Sequence, residues 1–242
     1  MQQSQRLLLS IAIESSTRFA SLAFARGGQS VRYLPLNRQS RTATTVSLAL
    51  RDLLDDVRAA DESVDFVAVT DGPGSFTGLR IGVTTAKSLA YALNCPIVAV
   101  DSLAVVASGL WNRCPQASGV HVALNAYRGQ LFVANWTRQQ WEAAIQSGDF
   151  TTQSHVVMAD DWARTIAADD SSIAIAAEPA VAERSGSSRV QSVEPTAIEL
   201  AKLADLIAKQ GRFTSAMSLL PRYFRDSAAE EKWTLATAQK PI

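Results

Sequence analysis

Two short stretches bring together groups that can hold an anion or a polarised water. In the first, Glu14, Ser15, Ser16 and Thr17 close the apolar run "LLLSIAI". A carboxylate followed by hydroxyls at a strand end can face a phosphate or a metal-bound water, or can simply satisfy the backbone of a turn. The second is "TDGPGSFTGLRIG", residues 70–82, with glycine at 72, 74, 78 and 82 and a helix-like segment behind it. Glycine lets a backbone approach another group closely, and free N–H groups at a helix start favour an anion. In that reading Gly72, Gly74 and Gly78 shape a loop, and the Ser75 and Thr77 hydroxyls with the Arg80 guanidinium hold the ligand. The pattern is neither the phosphate loop G-x-x-x-x-G-K-[ST] nor the dinucleotide fingerprint G-x-G-x-x-G. The alternative is steric: the same glycines, with Gly82, let the loop and helix pack tightly on a neighbouring element.

Other chemistry finds little support. The two histidines, His121 and His155, match neither HExxH nor HxxxH spacing, so no metal site and no catalytic residue is assigned. There is no G-x-S-x-G elbow. Cys95 and Cys114 are too few for a disulfide scaffold and are not spaced as a metal knuckle, which fits a reduced, cytoplasmic setting. Lysine plus arginine equals aspartate plus glutamate at 23 each, so no global basic field advertises nucleic acid. The start, "MQQSQRLLLSIAIE", makes a poor signal peptide and is too short to span a bilayer.

The elements that must position these residues follow from periodicity. "RLLLSIAIESS" reads as a buried strand, and "FASLAFARGGQSVRYLPL" as a hairpin turning at Gly27–Gly28. Val46, Leu50, Leu53, Leu54 and Val57 recur at helical spacing between Thr44 and Ala60. "VDFVAVTDGPG" is a strand running into the glycine loop, and Ile81 to Leu93 is the helix behind it. "NCPIVAVDS" gives another strand and "LAVVASGLW" another helix. Three strands, then helix, strand, helix, strand, helix matches a ribonuclease H-like unit rather than a Rossmann unit. Glu14, Asp71 and Asp101 all fall at strand ends. Past Cys114 the pattern restarts, with a turn at Arg128–Gly129. Residues 147–195 carry only short patterns, chiefly "SIAIAA". "PTAIELAKLADLIAKQG" is a helix stopped by Gly211, and "LLPRYFRDSAAEEKW" an extended tail. The helix after the glycines has a smooth face of Gly82, Thr85, Ala86, Ser88, Leu89 and Ala92, suited to core packing or to an interface.

"LLLSIAIESST", "GPGSFTGLRIGVTTAKSLAYAL", "CPIVAVDSLAVVA", "VALNAYRGQLFVANW" and "LPRYFRD" together resemble the TsaB (YeaZ) family of the glycoprotease-like superfamily, over nearly the whole chain. The resemblance implies an α/β, actin-like ATPase (ribonuclease H-like) fold of two lobes. Residues 1–105 form the first, and 106–242 a degenerate second whose last helix packs back on the first. It further implies a non-catalytic accessory subunit that binds the TsaD catalytic subunit for threonylcarbamoyl transfer to tRNA adenosine. The TsaE ATPase joins that pair, the chain is a homodimer when alone, and tRNA is met only through the complex, with no membrane contact. No cofactor of its own is implied, though ATP or ADP at the partner interface is compatible. On this reading Glu14, Ser16, Gly72, Gly74, Ser75, Thr77, Gly78 and Arg80 line the cleft turn, and Val83, Ala86, Lys87 and Ala90 form the partner contact. The rival readings are a glycoprotease-like metallopeptidase and an independent nucleotide-binding protein. The chain departs from the family pattern at Glu14–Thr17, where Asp-Thr-Ser-Thr is usual, in "RQSRTATT", which lacks the usual histidine and acid, and at Asn125, Tyr127 and Gln130. At the last three positions two acids and an arginine are lost, and these departures argue against residual nucleotide or metal chemistry.

Overall fold

A computed structural model describes residues 6–36, 42–151, 154–169 and 172–224. The expected tail beyond residue 224 and the "RQSR" segment at 38–41 lie outside the described residues. The elements in order are β1 (Leu9–Glu14), β2 (Ser21–Arg26), β3 (Gln29–Pro35), α1 (Thr42–Ala59), β4 (Phe66–Gly72), α2 (Phe76–Leu93), β5 (Ile97–Asp101) and α3 (Ser102–Arg113). The second half runs β6 (Gly119–Tyr127), β7 (Gln130–Thr137), α4 (Arg138–Ser147), β8 (His155–Met158), α5 (Ala159–Ala168), β9 (Ile173–Ala177), α6 (Pro179–Ser185), β10 (Val190–Ser192) and α7 (Ala197–Lys209).

Both halves build the same sheet. The first is ordered β3-β2-β1-β4-β5 and the second, read from its other edge, β8-β7-β6-β9-β10. In each, an antiparallel meander supplies three strands and parallel crossovers add two. This is the actin-like arrangement of two ribonuclease H-like lobes.

Strand periodicity sorts the side chains into layers. On one face of the first sheet Ile11, Ile13, Leu22, Phe24, Val67 and Val69 meet Leu53 and Val57 of α1 and Val83, Ala86 and Leu89 of α2. On the other, the small residues Ala12, Ala23, Ala25 and Ala68 let α3 and α7 approach closely, and those helices carry the second sheet's Val120, Val122 and Phe132 on their far side. The outer face of the second sheet is covered by Trp162 and Ile166 of α5 and Val181 of α6. One continuous central core therefore joins the lobes, with the Trp141 ring in contact with Trp111, Trp136 and Phe150 at its edge.

Helix α7 is capped by Thr196, and its first backbone N–H, from Ala197, donates to Ser21 Oγ at 2.9 Å, tying it to the first sheet. Leu200 on this helix is fully buried. Leu200→Ala should lower unfolding free energy by about 2–5 kcal/mol, read as a shift of the urea midpoint at constant slope.

Two sequence expectations require correction. Helix α2 begins at Phe76 rather than Ile81, because Ser75 caps it by accepting a hydrogen bond from the Gly78 N–H. Thr77, Gly78 and Arg80 are therefore helical and not part of a loop. Residues 147–195, which show little pattern, hold β8, α5, β9, α6 and β10. Their strands are only three to five residues long, and β8 and β10 are mostly solvent-accessible at the side chains, so no alternation develops.

Candidate functional site at the mouth of the interlobe cleft

β1 ends in Glu14, and the chain turns through Ser15–Phe19 before entering β2. Glu14 is fully buried because β1 is flanked on both sides and covered on both faces. Its Oε1 accepts hydrogen bonds from the Ser16 N–H at 2.8 Å, from the Ser16 hydroxyl and from Thr70 Oγ1 at 3.3 Å. Its Oε2 has no hydrogen-bond partner among the described residues. Burial pushes the carboxyl up to about 7, against the hydrogen bonds from Ser16 and Thr70, and the nearby Glu178 carboxylate adds to the rise. Glu178 follows β9 in the second lobe, and burial raises it also, while Arg18 of the first lobe opposes that rise.

The glycine turn folds against this same corner. A Cβ built on Gly74 would lie 2.2 Å from Ser16 O, one on Gly78 2.0 Å from Ser15 O, and one on Gly82 2.2 Å from Ser15 Oγ. Spaced by four residues, these glycines form a smooth stripe running from the turn into α2, and the strand-end turn lies on it. Ser15 Oγ donates to Gly78 O at 2.9 Å, and the Ser75 N–H donates to Ser16 O at 2.6 Å. The Ser75 N–H and the Gly78 N–H at this helix start thus already have protein acceptors, and the Ser75 hydroxyl assigned to the anion is the acceptor of the second. Gly72 takes φ +128°, and a Cβ there would meet Arg222 O at 2.6 Å.

Arg80 is engaged with a side chain of its own helix. Its guanidinium lies over the Phe76 ring, 4.7 Å from the centroid, and Thr77 is exposed on the first helical turn. Such an exposed cation–π pair contributes about 0.5–1 kcal/mol. The partner-contact assignment is corrected as well. Val83, Ala86 and Ala90 continue the inward stripe and are buried against the chain's own first sheet. Lys87 donates to Leu219 O at 3.1 Å. The outward face of α2 is instead Arg80, Thr84, Ser88 and Tyr91, the last 89% exposed.

Sequence reading missed Arg222. Its Nη2 donates to Asp71 Oδ1 at 2.7 Å, Gly72 O at 2.9 Å and Asp101 Oδ2 at 3.1 Å. The partners are up to 151 positions away, so no local pattern signals them. A register shift between Thr70 and Gly72 frees Asp71 from the β4–β5 ladder, and Asp101 caps α3 through the Leu103 and Ala104 N–H groups. Burial pushes Asp101 up to about 6, although Arg222 and the cap hydrogen bonds pull it down. Beside this cluster is a cavity of about 380 Å³ whose lining includes Asp149, Phe150, Arg212 and Phe213.

His121 Nδ1 sits 2.8 Å from Asp169 Oδ2 on the outer face of the second sheet, far along β6 from the strand ends that face the cleft. Cys95 and Cys114 are free thiols, and Gln191 Nε2 donates to Cys114 Sγ. Among the described residues no group of three or more His, Cys, Asp or Glu side chains is placed to hold a metal ion.

The family model described as TsaD, tRNA N6-adenosine threonylcarbamoyltransferase, matches residues 35–163, more than half of the chain. The chain belongs to this family. Within it the similarity is to the TsaB (YeaZ) branch. The chain is 27% identical over 243 residues to the Bacillus subtilis protein named tRNA threonylcarbamoyladenosine biosynthesis protein TsaB, covering 92% of this chain and 96% of the relative. It is 28% identical to the same-named protein of Buchnera aphidicola subsp. Acyrthosiphon pisum over 141 residues, and there spans 62% of the relative's length. Among solved structures, YeaZ from Pseudomonas aeruginosa superposes with a TM-score of 0.68 at 25% identity, covering 89% of this chain and 99% of that one. In this TsaB-like chain, then, the family's glycine motif closes onto its own backbone.

Proposed function

We propose that this chain is a non-catalytic accessory subunit of tRNA threonylcarbamoyladenosine biosynthesis that binds and stabilises a TsaD-type catalytic subunit. The observation that carries the reading is the match, over almost the full length of both chains, to a Bacillus subtilis protein named for that biosynthesis. The geometry supports a binding role over chemistry at the glycine turn, since that turn is packed against Ser15 and Ser16. In this reading the partner docks on the first lobe's outer helices, where Leu48 of α1 and Tyr91 of α2 are exposed and α2 presents Arg80, Thr84 and Ser88 to solvent. The same helices serve a homodimer when the partner is absent. A TsaE ATPase joins the pair, tRNA is met through the assembled complex in the cytoplasm, and ATP or ADP is bound at the partner interface rather than by this chain alone. Among the described residues no helix is long and apolar enough to cross a membrane.

Titration calorimetry of the chain with the TsaD protein of its own organism tests the docking face. Ser88→Arg and Tyr91→Ala should each weaken binding by about tenfold or more without lowering the melting temperature, as expected for anchors at a docking surface. Val83→Ala should do the reverse, loosening the fold and leaving affinity nearly unchanged. Wild-type affinity in both outward variants would remove α2 from the interface.

A further inference from the structure

Between α7 and residue 224 the chain runs back along the first lobe. The Thr214 N–H donates to Ile97 O at 2.7 Å, closing the free edge of β5. Leu219 is buried in the outer core of the first lobe, and the Arg222 N–H donates to Asp71 O at 2.7 Å. Tyr223 stacks on Phe76 of α2 with ring centroids 4.7 Å apart, and Phe224 meets the edge of Phe132, on β7 of the second lobe, at 6.1 Å. In six residues the segment touches both lobes and passes over the glycine turn, where its own carbonyl fills the space beside Gly72.

Its side-chain hydrogen bonds are few: Lys87 donates to Leu219 O, and Arg222 makes the rest among the described residues. Both carboxylates and the Gly72 carbonyl are served by one guanidinium nitrogen, and Arg222 Nε is buried without a partner among the described residues. Two buried acids sharing one cation are only partly compensated, so desolvation takes back much of the Coulomb attraction. No helix or sheet ladder holds residues 219–224, and Leu220 and Tyr223 remain 70% and 45% exposed. Segments with few buried contacts open first in a native structure. The segment borders the carboxyl ends of β4 and β5, where Arg222 meets Asp71, Gly72 and Asp101.

We propose that residues 219–224 form a releasable strap across these strand ends, with Arg222 as its latch and Phe224 as its foothold on the second lobe. Released, the segment uncovers Asp71, Asp101 and the Gly72 turn and frees Phe132 of the second lobe from its contact with Phe224.

Hydrogen exchange read by mass spectrometry on the full chain tests this. In Arg222→Ala, peptides covering 219–224, 72–76 and 130–134 should exchange about tenfold faster or more, while those covering α5 and β9 keep the wild-type rate. Arg222→Lys keeps the charge but cannot make all three contacts, so it should show the same pattern at smaller amplitude. It carries the test if the alanine variant does not accumulate folded. Faster exchange confined to 219–224 would reduce the segment to a tail resting on one lobe. A uniform rise through both lobes would make Arg222 a general stabilising residue, and unchanged exchange would remove the latch altogether.

Discussion

Gly78→Ala should destabilise the protein by about 3 kcal/mol, at the upper end of the usual range for overpacking. The added methyl carbon would start 2.0 Å from the carbonyl oxygen of Ser15, and the obstacle is backbone, so no rotamer change relieves it. Alanine is the better helix former by about 1 kcal/mol, and that gain opposes the clash without matching it. Gly109→Ala is the control, because in the interior of α3 its Cβ would meet side chains rather than backbone, Val193 Cγ1 at 3.1 Å and Glu199 Cγ at 3.8 Å. That variant should stay within about 1 kcal/mol of wild type, helix propensity offsetting a small side-chain adjustment. Urea unfolding at neutral pH compares the two. A Gly78→Ala protein as stable as wild type would show that the glycine is not required by the close approach of Ser15, and the anion reading of the turn would return.

Glu14 should make the protein less stable as pH rises. Its folded-state value near 7 lies above the ordinary 4.5, so between those values the folded protein holds a proton that the unfolded chain has lost. Stability from this group is therefore complete below about pH 4.5 and falls as pH climbs through about 7, with a full span of about 3 kcal/mol. Asp71, Asp101 and Glu178, which burial also raises, slope the same way. Glu14→Gln keeps an acceptor for Ser16 and Thr70 and cannot ionise. Its urea midpoint should match wild type near pH 5 and exceed it at pH 8. Parallel curves across that range would mean that Glu14 is ionised in the folded protein.

The first lobe was legible because it writes buried strands as apolar runs and then helices at three- and four-residue spacing, whereas the strands within 147–195 of the second are too short to write an alternation. The glycine motif was equally visible, but its start was misplaced, since three glycines weigh against a helix while a tertiary contact requires them there. The cue was present in Ser75, an N-cap, and in the four-residue step of Gly74, Gly78 and Gly82. Continued, that step reaches Ala86 and Ala90, so the residues assigned to a partner belong to the stripe that faces the sheet. Smallness alone did not say which side of the helix was outside. Arg222 lay inside the quoted "LPRYFRD" motif, yet its role depends on two strand ends brought together only by the parallel ladder of β4 and β5.

Size-exclusion chromatography with light scattering, on this chain mixed with the TsaD protein of the same organism, tests the accessory-subunit reading most directly. A complex of the two chains in equal number, lost in Ser88→Arg, is the predicted result. A chain that elutes unchanged beside TsaD, with and without ATP and magnesium, would contradict it.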